Sequence, residues 1–391
     1  MSFPILKKFN FPWLWNRGIA FYGAVFAVVC VLMLGTGLWP FNFRPSNNVS
    51  WLGDRNGVNF SGYGMVISSE SWNEGHTLFP DKSISLELWL RPLTETSSLP
   101  SILTLYDERT PYIFFIGQWR SHLAIRSRTD DPAARKPGKS YQEVGLSNGL
   151  LKDIDTFITI TSGPEGTTIY QNGTRARISP RHRLLAGYQG EPVRLILGNA
   201  HSGGSYWTGH MSGLAIYNRT LNPQQVAHNY QEWIHKGFPS DTNDGRIALY
   251  VFDERKGLIV NNREGSNNHL VIPEIFTPVD LTVLHFPWHD DFQWNRSFFQ
   301  DVTINIAGFI PFGFFCAGLM MKTRRFRMSA VYMITVLFGI VFSLAIELLQ
   351  VYLPTRDSSL LDLICNAGGA LLGVIIFHAI LSASQVPQRE Y

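Results

Sequence analysis

The chain has 391 residues, 45% of them hydrophobic, and a formal net charge of +3. So small a charge, with no basic patch interleaved with aromatics, argues against nucleic acid as a partner. The three cysteines, Cys30, Cys316 and Cys365, all lie in apolar runs, which excludes a disulfide framework and a cysteine-based zinc motif.

The mean hydropathy of 0.00 averages two populations, four long apolar runs and a polar middle. Residues 1–17 are basic and aromatic, with Lys7, Lys8, Arg17, Trp13 and Trp15. Residues 18–38 carry no charge and are long enough to cross a hydrocarbon core of ~30 Å. The run exceeds the ~7–15 residues of a signal-peptide apolar region, and no small-residue cleavage site follows it. Trp39-Pro40-Phe41-Asn42-Phe43 comes next and reads as an interfacial belt with a helix stop. These residues predict an uncleaved first transmembrane helix behind a cytoplasmic N-terminus.

Residues 44–280 change character. Short runs of β type recur between Gly and Pro punctuation, at 83–90, 102–105, 113–116, 122–125, 157–161, 167–170, 193–197 and 211–217. Gly163-Pro164-Glu165-Gly166 is a strong turn signal, and Asn172-Gly173 favours a type I′ hairpin. Many short strands with turns between them predict an all-β antiparallel sandwich. Residues 221–233, opening on Asn222-Pro223, are the one clear short helix of this segment. Residues 247–252 and 270–272 supply further strand-like pieces. Residues 284–300 are dense in aromatics and read as an interfacial segment. His285, His289, Asp290 and Asp291 fall within it, without a known metal-ligand spacing.

Three further apolar runs follow, at 302–321, 328–353 and 360–381, with the basic turn 322–327 after the first. Positive charge in short loops sets orientation. The basic N-terminus and the basic turn both belong on the cytoplasmic side, so residues 40–300 lie outside and the tail 383–391 inside. Ionisable groups at membrane depth are costly unless they face a partner or water. Asp301 and Asn305 share a helix face with position 308, Glu347 and Gln350 with 354, and Asp362 and Asn366 with 369 and 373. At ~1.5 Å rise per residue the three polar pairs fall at similar depth, near the outer side. Arg356, in the outer turn, is a counter-charge for Glu347 or Asp362. These seven residues are the predicted binding pocket. Gly369 and Gly373, four apart, permit close helix packing.

Two resemblances attach to these motifs. SISLELWLRPL at 83–93, TTIYQNGTRA at 167–176 and GHMSGLAIYNRTLNPQQVAHNY at 209–230 together resemble laminin-G-like, concanavalin-A-type jelly rolls over about residues 50–236. Such domains bind sugars or protein partners, often with calcium, so the resemblance leaves calcium open. No compact cluster of Asp, Asn or Glu places its ligands, and metal residues stay unassigned. Tyr206 and Trp207, in the loop after His201, are candidate glycan contacts. Asp301, Asn305, Phe309, Pro311, Gly313, Glu347, Gln350, Pro354, Arg356, Asp362, Asn366 and Gly369 look like the VanZ-like membrane family over about residues 295–382. The first helix ending in WPFNF resembles that family's first helix over residues 18–43. Many members carry two adjacent Asp residues before the Asn; here Leu361 precedes Asp362. The resemblance implies a bacterial-type cytoplasmic membrane, a role in the cell envelope, and a link to resistance against teicoplanin-type glycopeptides.

The predicted protein is thus four transmembrane helices with a jelly roll inserted in the outer loop, periplasmic or extracellular. Three functions fit it. The first is a non-catalytic protein binding an envelope glycan, a lipid headgroup or a lipid-linked saccharide, with Arg356 suited to an anionic group and the amides and carboxylates to sugar hydroxyls. The second is a membrane-embedded hydrolase or transferase using Glu347 and Asp362 as acid and base. The third is a structural anchor for a binding domain.

Overall fold

The computed structural model describes residues 17–72, 78–79, 81–131, 139–240, 245–265, 267–281, 283–285, 296–323 and 325–384. Five helices are described: α1 (Ile19–Gly37), α2 (Pro223–Lys236), α3 (Arg296–Lys322), α4 (Met328–Gln350) and α5 (Leu360–Ser384). The chain divides into two units, one of residues 1–43 and 282–391, the other of residues 44–281.

The second unit is a sandwich of two antiparallel sheets, as the alternating runs predict. One sheet orders its strands Val49–Trp51, Val58–Phe60, Gly209–Tyr217, Ile84–Pro92, Thr156–Gly163, Gly166–Gln171 and Thr174–Ser179, with Arg246–Tyr250 also paired to Gly209–Tyr217. The other runs Ile259–Val260, Leu270–Val271, Val66–Ser68, Val193–Leu197, Ser101–Asp107, Phe114–Trp119, His122–Arg128 and Tyr141–Leu146. The pieces at 247–252 and 270–272 therefore complete the two sheets. Leu86, Leu88, Leu90, Ile158 and Ile160 face Leu103, Leu105, Ile116, Ile125 and Leu195 across a closed core. Each such side chain contributes about 1.5–3 kcal/mol by leaving water.

The strand Ile84–Pro92 departs from simple alternation, because both of its faces are buried. The cause is α2, whose Trp233 packs on Trp89 and Phe157. Asn222 caps this helix by accepting from the Gln225 N–H at 2.9 Å, and Gln225 Oε1 returns the bond to the Asn222 N–H at 3.0 Å. Pro223 opens the helix, and Gly237, at φ 80°, ends it. The Asn172-Gly173 turn takes positive φ at both residues, 51° and 74°, as a type I′ hairpin requires.

In the first unit, α1, α3, α4 and α5 are long and apolar enough to cross a membrane. Helices α3 and α5 meet backbone to backbone. A Cβ at Gly373 would stand 2.2 Å from the Ile310 carbonyl oxygen, one at Gly369 2.3 Å from that of Ile306, and one at Gly313 2.0 Å from that of Ala370. Only glycine permits that approach, so this glycine spacing fixes the pair. Phe312 stacks on Phe342 of α4 at 5.4 Å, and Tyr22 of α1 packs edge-on against Phe377. Cys316 and Cys365 are buried and all three cysteines are free.

Candidate functional site

The site is built where α4 ends, α5 begins and the first turns of α3 run alongside. Glu347, 2% exposed, accepts the backbone N–H of Ser359 at 2.7 Å, with the Ser358 side chain also within reach. Ser359 in turn starts α5: its hydroxyl accepts from the Asp362 N–H at 3.4 Å. Asp362 interacts with the Asn305 side chain and lies close enough to Asp301 and Glu347 for their charges to interact. One turn further along, Asn366, 5% exposed, donates from Nδ2 to the Ser343 hydroxyl of α4 at 2.9 Å. Its Oδ1 is buried and has no hydrogen-bond partner among the described residues. Five of the seven predicted residues, Asp301, Asn305, Glu347, Asp362 and Asn366, therefore share one cluster drawn from three helices.

Two do not. Gln350 Nε2 donates to the Gly37 carbonyl at 2.9 Å. Arg356 donates to the carbonyls of Thr36 at 3.1 Å and Trp39 at 3.4 Å. Both hold the C-terminal end of α1, whose last carbonyls lack helical donors. This corrects the predicted counter-charge: among the described residues, no ion pair joins Arg356 to Glu347 or Asp362. The guanidinium has gone to a helix terminus, where a cation is favoured by the helix dipole. The cluster is left with three carboxylates and two amides, and its chemistry is dominated by acceptors.

Three serines escaped the sequence reading. Ser343 lies one helical turn before Glu347 on the same face, a spacing that could have flagged it. Ser358 and Ser359 lie in the short turn between α4 and α5. Leu284 donates its N–H to the Ser358 hydroxyl at 3.1 Å, and His285 donates its N–H to the Ser358 carbonyl at 2.8 Å. The other metal candidates beside His285, namely His289, Asp290 and Asp291, lie outside the described residues, as does most of the interfacial segment 284–300. Among the described residues no group of three or more His, Cys, Asp or Glu is placed to hold a metal ion, so no calcium site is assigned.

In the sandwich, Trp207 is 1% exposed, donates from Nε1 to Gln118 Oε1 at 2.7 Å and packs on Phe60. It belongs to the core and cannot stack on a sugar, which corrects its reading as a glycan contact. Tyr206 is 45% exposed and lies edge-on to Tyr63.

The fold and cluster define a membrane-helix unit with a β-sandwich inserted between its first and second spans. Residues 249–381 match the VanZ/LLP1 family, and residues 68–227 match the concanavalin A-like lectin/glucanases superfamily. The protein is therefore a membrane protein that combines a VanZ-like domain with a laminin-G-like, concanavalin-A-like domain. The VanZ match begins inside the sandwich, earlier than the resemblance at about 295. Among curated proteins, none matches the chain.

Several solved structures resemble the sandwich. The botulinum neurotoxin serotype D ligand-binding domain in complex with N-acetylneuraminic acid is 13% identical at a TM-score of 0.38, covering 49% of this chain and 46% of its own. A carbohydrate-binding protein of Bacteroides ovatus, so described provisionally, is 14% identical at 0.38, covering 58% and 61%. A heptameric SAP-like pentraxin from Limulus polyphemus is 9% identical at 0.35, covering 60% and 96%. The chain thus spans about half the length of the toxin domain, and likenesses at this level assign no ligand.

Proposed function

We propose that the protein binds an envelope lipid through the polar cluster of its helices, and a glycan through its sandwich. The observation that carries the first part is the buried Asn366 Oδ1, which has no hydrogen-bond partner among the described residues, beside carboxylates that Arg356 does not pair with. A buried acceptor left without a donor costs about 1–3 kcal/mol. A ligand that supplies donors would recover that cost. Sugar hydroxyls supply donors without bringing a negative charge. The reading therefore favours an uncharged, hydroxyl-rich headgroup such as that of a glycolipid over a phosphate, and replaces the anionic group that Arg356 had suggested.

On this proposal the protein resides in the cytoplasmic membrane with both termini inside, and the cluster faces the outer leaflet. The basic residues at the N-terminus and at 322–327 support that orientation. The sandwich then lies outside, and loss of the protein alters sensitivity to teicoplanin-type glycopeptides. The concanavalin-A-like match supports glycan binding by the sandwich. Lipids carried through purification test the headgroup. Wild type should retain a glycolipid, and Glu347→Gln combined with Asp362→Asn should lose it at unchanged protein yield. Equal retention by both would refute the lipid reading, and a fall in yield alone would leave the cluster a purely structural role.

A further inference from the structure

The second sheet carries a trough on its solvent face. Strand register puts Gly117, Ala124 and Gly145 in one row, Gly117 pairing with Ala124 and Ala124 with Gly145, and the last two line the trough. Ala124 and Gly145 lie on the outer face, alternating with buried Leu123, Ile125 and Val144, while Gly117 is covered by Leu99 and Pro100. On one side of this row stand Trp119 and His122, which pair with each other. On the other stand Arg126 and Glu143, also a register pair, joined at 2.5 Å. The two walls are four residues apart along the strand that carries His122 and Arg126, about 13 Å at a rise of ~3.3 Å per residue. The enclosed volume is about 570 Å³, within the usual range for small-molecule sites.

The walls have a definite chemistry. Trp119 is 43% exposed and braced, with the His122 ring at 5.3 Å and the Arg120 guanidinium at 5.1 Å from its centroid. Arg126 is committed to Glu143. Arg177, which lines the trough, and Arg120 beside Trp119 form no ion pair among the described residues. The local balance is therefore positive, with the single acid already neutralised.

We propose that this trough binds an acidic saccharide, a sugar carrying a carboxylate or phosphate group. Its ring lies on the small-residue floor against Trp119, and its charge meets Arg177 and Arg120. The proposal rests on the reading that the sandwich binds glycans, and it moves the site from the Tyr206–Trp207 loop to the face of the second sheet.

The test is an array of uronate-, sialate- and phosphate-bearing oligosaccharides with uncharged counterparts, probed with the full chain in a non-glycosidic detergent. Calorimetry on the best ligand follows. Wild type should prefer an acidic glycan at least tenfold over its uncharged counterpart. Trp119→Ala, Ala124→Leu and Arg177→Glu should each weaken binding at least tenfold, and Tyr206→Ala should leave it unchanged. Arg177 is exposed, so its variant stays informative if a trough-filling leucine disturbs the sheet. Tight binding of an acidic glycan that survives all three substitutions would overturn the site and leave the glycan reading standing. Absence of binding to every glycan would overturn both. Equal binding of charged and uncharged forms would overturn the charge assignment.

Discussion

The Glu347 carboxylate accepts the backbone N–H of Ser359 at 2.7 Å, so the last turn of α4 holds the first residue before α5. The adjoining Ser358 is bonded by the backbone of Leu284 and His285. One two-residue turn thus links a buried carboxylate to the chain that returns from the sandwich. Glu347→Gln keeps an acceptor for the Ser359 N–H, whereas Glu347→Ala leaves that donor unpaired. The alanine variant should lose about 1–3 kcal/mol of stability, and the glutamine variant less than half of that. Thermal denaturation in detergent, followed by fluorescence-detected gel filtration, reads the difference.

Arg356 makes a second prediction, because its two carbonyl contacts assign it to the end of α1. Arg356→Ala should cost about 0.5–1 kcal/mol, as loss of a cation at a helix C-terminus does, and should leave lipid retention unchanged. A loss of retained lipid at normal stability would return Arg356 to the binding site.

Glu87 sits fully buried under α2, accepting from Asn229 Nδ2 at 2.8 Å, Tyr217 OH at 3.0 Å and Trp233 Nε1 at 3.0 Å. Burial pushes its carboxyl above the usual range, and the three donors oppose that shift. Glu87→Ala strands the Tyr217 and Trp233 donors, leaves Asn229 Nδ2 only the Tyr217 hydroxyl at 3.1 Å, and should cost about 3 kcal/mol. Glu87→Gln should cost less, because an amide can still accept from Trp233. Near-ultraviolet circular dichroism melts of the intact chain would rank them.

His182 supplies the pH dependence. It is buried between the Ser127 and Thr167 hydroxyls, at 3.0 Å from each, and burial lowers it from 6.5 to about 4. The folded state therefore holds the neutral ring while the unfolded chain protonates, so the stability is present above pH 6.5 and is lost as pH falls towards about 4. The full drop is roughly 3 kcal/mol. Melts at pH 7, 5.5 and 4.5 should show it, and His182→Gln should flatten it.

Much of this architecture was legible in the chain. The hairpin at Asn172-Gly173, the capped helix after Asn222 and the close packing at Gly369 and Gly373 follow from local rules that tertiary context did not override. Helical spacing also grouped Asp362 with Asn366 and Asp301 with Asn305, but it set Gln350 beside Glu347, where the structure sends it to the Gly37 carbonyl. What stayed hidden depends on pairing between distant segments. Arg356 finds acceptors some 320 positions away, and no local pattern announces them. Trp207 lies in a loop whose inward turn is decided by Phe60 and Gln118. The trough needs the register of paired strands, because Ala124 and Gly145 mean nothing singly.

The central claim is that the acceptor-rich cluster holds an uncharged, hydroxyl-bearing headgroup. Native mass spectrometry of the full chain from nanodiscs containing diglucosyldiacylglycerol and phosphatidylglycerol in equal amounts tests it most directly. Wild type should retain the glycolipid at least tenfold over the phospholipid, and the Glu347→Gln, Asp362→Asn double variant should lose that preference at equal folded yield. Retention of phosphatidylglycerol in preference, or an unchanged glycolipid preference in the double variant, would contradict it.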